Sequence, residues 1–143
     1  MEKEDLEIIV FDIVNAAGTA KGLSYEALKE AENGNYEKVE ELLKEADKFL
    51  LEAHNIQTEI IKNEVSGNNI DVSVLFVHAQ DHLMTSIEAK SLIECMIKMY
   101  KRIENLENGK NFRKINFNNY NNKYISYWVF YILYCILKKL GYT

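Results

Sequence analysis

Apolar residues recur along this chain three and four apart, the spacing that lines one face of an α-helix. From about Asp5 to Ala31 the repeat runs through Leu6, Ile9, Val10, Ile13, Ala17 and Ala20. From about Tyr36 to Val65 it runs through Val39, Leu42, Leu43, Ala46, Phe49, Leu50, Ala53, Ile56 and Ile60. A third periodic segment extends from about Ile70 to Leu106. No window sustains the period-two alternation of a strand. The breaks carry turn chemistry. Around Glu32-Asn33-Gly34-Asn35, Gly34 suits the left-handed position that follows a helix, and Ser66-Gly67-Asn68-Asn69 is a second break. Asn69 or Asp71 is a candidate cap for the third helix. Short loops between long helices make successive helices antiparallel, so the pattern predicts an all-α, up-down-up, antiparallel three-helix bundle. Gly18 and Gly22 fall inside the first helix, where each costs roughly 1 kcal/mol relative to Ala. They are expected to mark a bend or a frayed middle rather than the close approach of another helix or a partner.

The third helix is apolar on two sides. At 100° per residue, Val74, Val77, Asp81, Thr85, Leu92, Cys95, Met96 and Met99 share one broad face, and Phe76, Leu83, Ile87 and Ile97 lie roughly opposite. An ordinary bundle helix has one apolar stripe and one wet face. One face can pack within the chain; the other calls for a partner, most simply further copies, so the pattern predicts a homo-oligomer. Asp81 then stands in an apolar seam, where a carboxylate is costly unless paired or bound to a metal. Copies meeting on a symmetry axis would repel unless a divalent cation joined them, and an all-oxygen shell suits a Mg²⁺-like ion. The alternative is that Asp81 simply reaches solvent at the seam's edge.

Composition narrows the function. The 143 residues are 48% apolar, enough for one domain with its own core. A formal net charge of −5 argues against nucleic acid as a partner. Cys95 and Cys135 match no metal-ligand spacing and fit a reducing compartment. The acidic, polar start, Met1 to Asp5, predicts no secretory signal peptide.

Histidine is scarce, yet two of the three fall four apart at His78 and His82, on one helical face with Asp81 between them. Three chemistries suit such a pair. Zinc ligation is possible at this spacing, but its catalytic form is H-E-x-x-H, Ala79 stands where the Glu would be, and no Cys pair or third local His completes a structural site. Nucleophilic catalysis would have one imidazole attack while its neighbour orients or stabilises. The plainest alternative is a pair of surface histidines making ordinary hydrogen bonds. A position near a helix start favours the nucleophilic reading, because the helix dipole there suits a phosphoryl group. His82 could then donate to that group, as could Gln80 or Gln57.

The stretch Val-His-Ala-Gln-Asp-His-Leu-Met-Thr at 77–85 resembles the signature of the lactose/cellobiose-type enzyme IIA component of the bacterial phosphoenolpyruvate-dependent sugar phosphotransferase system. The segments 11–18 (FDIVNAAG), 26–34 (EALKEAENG) and 52–58 (EAHNIQT) agree with it. The resemblance implies a cytoplasmic phosphocarrier that forms a homotrimer of three-helix chains. It implies one divalent metal ion per trimer, Mg²⁺ or similar, held by Asp81 of each copy. It makes His78 the phosphoryl acceptor, matches His82 and Gln80 to the family's second histidine and glutamine, and places His54 and Gln57 in a supporting role. It implies HPr as phosphoryl donor, a IIB component as acceptor, and through IIB the membrane permease IIC. The cargo would be a β-linked disaccharide of the lactose, cellobiose or chitobiose class. Cys95 is not the acceptor cysteine and is expected in the core. A rival reading is a non-catalytic, metal-stabilised helical oligomer that serves as an interaction module.

The resemblance covers residues 1–106 and leaves 107–143 as an extension. Its first part, Glu107 to Lys123, is Asn-rich and reads as a linker. Tyr124 to Leu137 is almost wholly apolar and aromatic and is followed by Lys138 and Lys139. As a helix it would span about 21 Å, short of the ~30 Å hydrocarbon core of a bilayer. It could lie at a membrane surface, insert marginally, pack on the bundle, or be a non-native end.

Overall fold

The computed structural model describes residues 3–68 and 72–109. They form three long helices and no strand: α1 (Lys3–Glu32), α2 (Tyr36–Val65) and α3 (Val74–Glu107). The predicted all-α three-helix architecture is what the described residues adopt. The linker and the apolar segment expected in 110–143 lie outside the described residues, as do Cys135 and the candidate caps Asn69 and Asp71.

Each helix buries a stripe spaced three and four apart. On α1 it is Leu6, Val10, Ile13, Ala17, Ala20, Ser24, Ala27 and Ala31. On α2 it is Val39, Leu42, Ala46, Leu50, Ala53, Gln57 and Ile60. On α3 it is Phe76, Ala79, Leu83, Ser86, Lys90, Ile93 and Ile97. Such seams let neighbouring helices interdigitate along their whole length. From Ala16 onward the α1 stripe is made of small side chains, so α2 and α3 can approach it closely. Ser24 costs nothing there, because its hydroxyl donates to the Ala20 carbonyl at 2.7 Å. α1 packs extensively against both other helices, whereas α2 and α3 touch each other sparsely. Polar links between them include Gln57 to Gln80 and Asp47 to Lys90. Asp47 lies ten residues before Gln57 and Lys90 ten after Gln80, the register of two antiparallel helices.

The ends follow local chemistry. Gly34 has φ +76°, as expected for the αL turn after α1. α3 starts at Val74, later than predicted, because Ser73 is its cap: the Ser73 hydroxyl oxygen accepts from the Phe76 N–H at 3.1 Å. At the opposite end of the bundle, the Tyr100 hydroxyl donates to Glu32 at 2.7 Å. Lys101 stands 4.6 Å over the Tyr36 ring. Burial and a hydrogen bond to Glu104 push the Tyr36 hydroxyl up to about 12.

α3 has the predicted two faces. Phe76, Leu83 and Ile97 are buried and Ile87 packs against the core. Opposite them, Val74 and Val77, and then Leu92, Met96, Met99, Ile103 and Leu106, stand exposed, with Asp81 and Thr85 between the two groups. Asp81 is exposed on this open side. Cys95 is half-buried rather than in the core, because it sits at the border between the two faces.

Candidate functional site

His78 and His82 lie on consecutive turns of α3, as the spacing predicts, and their rings stack with centroids 5.9 Å apart and planes 24° from parallel. The two rings differ in setting. His78 is exposed. His82 is half-buried and leans onto α1, where its Nε2 would lie only 3.2 Å from a Cβ built on Gly18. Gly18 is therefore a point of close approach, and α1 continues as one helix through both glycines. Gly22 meets nothing within 4 Å.

Burial lowers the His82 pKa from its ordinary value; the nearby charges of Lys21 and His78 lower it further, and Asp81 partly opposes them. Lys21 lies three residues beyond Gly18, on the same side of α1. Sequence reasoning overlooked Lys21. The signal was the Gly18/Lys21 spacing, which puts a cation one turn from the glycine that admits the ring. The His82 carbonyl also accepts from the Ser86 hydroxyl at 2.7 Å and from Thr85 at 3.1 Å, which fastens the turn carrying the ring.

His78 is the fifth residue of α3, so its own N–H already lies inside the helix. The dipole argument made from sequence is correspondingly weak, since that field fades within the first turn. The site rests on the paired imidazoles and the α1 residues beneath them.

Gln57 and Gln80 are buried and bonded to each other, the Gln57 amide N–H donating to the Gln80 side-chain oxygen. Gln80 is two residues from His78, and positions two apart on a helix do not face each other. In this chain the two amides therefore point inward, away from the histidine face, rather than toward a group on His78. The Gln80 Nε2 has no partner. His54, the third histidine, is half-buried on α2; burial lowers its pKa and a hydrogen bond with Gln57 partly offsets that.

Among the described residues of one chain, no three His, Cys, Asp or Glu side chains converge on a metal-sized site. Asp81 is a single exposed carboxylate, and no group of described side chains in its own chain forms a metal site with it.

The sequence profile of the family described as PTS system, Lactose/Cellobiose specific IIA subunit, matches residues 8–101, a span that holds α2 and every residue of the histidine site. This chain belongs to that family. The IIA chain is 43% identical over 102 residues to the lactose-specific EIIA component of Lactococcus lactis, a match covering 71% of this chain and 97% of that protein. Among solved structures, the cellobiose-specific enzyme IIA of Bacillus anthracis superposes with a TM-score of 0.67 at 36% identity, covering 73% of this chain and 94% of that one. The IIA(chitobiose)–HPr complex of Escherichia coli contains a chain that superposes with a TM-score of 0.63 at 34% identity, covering 73% of the IIA chain here and 99% of that one. The profile match stops at residue 101 and does not reach the C-terminal extension.

Proposed function

We propose that this IIA protein is a histidine phosphocarrier for uptake of a β-linked disaccharide, working on the cytoplasmic side of the membrane. The observation that carries this reading is an exposed imidazole, His78, stacked on a second imidazole that the fold holds in place. An unprotonated ring nitrogen of His78 attacks the phosphorus of a phosphohistidine on HPr. The new N–P bond forms as the donor's N–P bond breaks, and the donor imidazole leaves. In the second step a thiolate of a IIB component attacks the same phosphorus, an S–P bond forms, and His78 is released. Such transfers need little beyond in-line positioning and charge stabilisation. A neutral His82 has one ring N–H to donate to the phosphoryl oxygens, and Lys21 adds positive charge beside it. Gln57 and Gln80 support the site from within by holding α3 to α2. HPr as donor is supported by the complex of the chitobiose relative. A IIB component as acceptor, and through it the permease IIC, are part of the same proposal. No described helix is long and apolar enough to cross a membrane.

The open side of α3 supports self-association. Val77, Leu92, Met96, Met99 and Ile103 form a row that three copies can bury against one another, with Asp81 of each copy meeting on the axis. Three carboxylates at one point suit a hard divalent cation such as Mg²⁺, which takes oxygen ligands and offsets their mutual repulsion.

Incubation with phosphoenolpyruvate, enzyme I and HPr, read by intact mass, tests the carrier reading. One acid-labile, base-stable phosphoryl group per chain is expected. It should be lost in His78→Ala and acquired more slowly in His82→Ala, with fold and assembly unchanged in both. A protein that takes up no phosphate would instead be the non-catalytic interaction module.

A further inference from the structure

Gly18 is flanked by alanines at Ala16, Ala17 and Ala20, all buried in the same helix. At those positions a methyl group packs in the core, whereas Gly stands where the His82 ring lies. A Cβ at Gly18 would meet His82 Nε2 at 3.2 Å, tighter than ordinary contact, so the ring would have to give. A displaced ring changes its stacking on His78, now 5.9 Å between centroids. Gly22, four residues on in the same helix, has open space around it. The two glycines carry the same intrinsic helix cost but only one touches the site.

We propose that Gly18 is a positioning residue for phosphoryl transfer: the missing side chain on α1 lets the His82 ring seat against the helix and holds it beside His78. The assignment rests on the phosphocarrier reading. It makes α1 a part of the site, although the reacting groups are all on α3. Gly18 touches neither donor nor phosphoryl group and acts only through His82.

The test compares Gly18→Ala with Gly22→Ala in the full chain, alone and with His82→Ala. Phosphoryl uptake from phospho-HPr is followed at varied donor concentration. Gly18→Ala is expected to slow the maximal rate on the order of tenfold, short of the roughly hundredfold cost of a 1 Å misplacement, with little change in the half-saturating donor concentration. Gly22→Ala should transfer at the unsubstituted rate. In the His82→Ala background, Gly18→Ala should cause no further loss, and in the single variant the His82 ring resonances should shift by NMR while the circular dichroism spectrum stays the same. Should Gly18→Ala alone fail to fold, a folded Gly18→Ala/His82→Ala protein supports the contact and an unfolded one overturns it. A Gly18→Ala rate equal to that of the unsubstituted protein, or an equal loss with and without His82, overturns the assignment while leaving the carrier reading intact. Absence of phosphate uptake by the unsubstituted protein overturns the carrier reading and the assignment together.

Discussion

Lys90 joins the two helices that otherwise scarcely meet, and its setting gives an asymmetry that can be measured. Its Nζ lies 2.9 Å from Asp47 of α2 and 2.5 Å from Glu94 one turn along α3. The lysine side chain is 10% exposed, while those of Asp47 and Glu94 are 64% and 36% exposed. Burial alone would lower the Lys90 pKa, but the two carboxylates more than offset it and hold the value above the ordinary 10.5. The ammonium therefore stays charged, and its contribution is full below that value and fades only as pH rises beyond it. Lys90→Met removes the cation, keeps most of the buried stem, and leaves two carboxylates that already reach water. The expected cost is that of a solvated ion pair, about 0–1 kcal/mol. Removing both partners, as in Asp47→Ala with Glu94→Ala, strands the cation instead. Leaving a buried charge unpaired costs ~3–5 kcal/mol, and the low end applies here because lysine can extend its ammonium toward water. Helix propensity returns less than about 0.7 kcal/mol at each Ala, so the net loss should be roughly 2 kcal/mol. Urea unfolding at fixed protein concentration, followed by circular dichroism, compares the two. If Lys90→Met is as destabilising as the double carboxylate variant, the reasoning from burial is refuted.

Two further outcomes are expected. His54 has a folded pKa lowered by burial, so the unfolded chain binds the proton more readily; its contribution to stability is complete above about pH 6.5 and is lost as pH falls below that. Urea midpoints between pH 7.5 and 5.5 should therefore fall less steeply in His54→Gln than in the parent, and equal slopes would count against this setting for His54. For the proposed trimer, chelation should lower the melting temperature and Asp81→Asn should weaken that metal dependence. Asp81→Leu should still sediment as a trimer, since it removes the like charges from an apolar seam; a parent protein that sediments as a monomer would remove the basis for both expectations.

The helices were legible because each buried stripe repeats three and four apart with few interruptions, and Gly34 marks its turn unambiguously. The two-sided character of α3 was legible for the same reason: Val77, Leu92, Met96 and Met99 are apolar where a solvated face would be polar. The cap of α3 was not, because Asn69, Asp71 and Ser73 all have suitable side chains and only the path of the backbone decides which one reaches the Phe76 N–H. The pairing of His78 with His82 followed from their spacing alone. The Gly18 contact did not, since it depends on how deeply α3 settles on α1. Lys90 reads as a surface residue in any sequence, and its burial follows from carboxylates supplied by two helices. Gln80 was assigned to the histidine side for its place in the motif, although its angle around the helix turns it inward to Gln57.

The central place of α1 governs how the chain opens as well as how it stands. α1 and α2 are joined by a three-residue turn and share a long seam, so they can zip together from neighbouring contacts. α3 meets this hairpin almost entirely through α1, with Lys90 and Gln80 as its main ties to α2. It can thus detach as a unit while the hairpin persists. Amide hydrogen exchange should divide accordingly, with α3 exchanging through a partial opening and the α1–α2 seam only through global unfolding. Since the His82–Gly18 contact spans the seam between α3 and α1, the geometry of the histidine pair lasts only as long as α3 stays docked on α1.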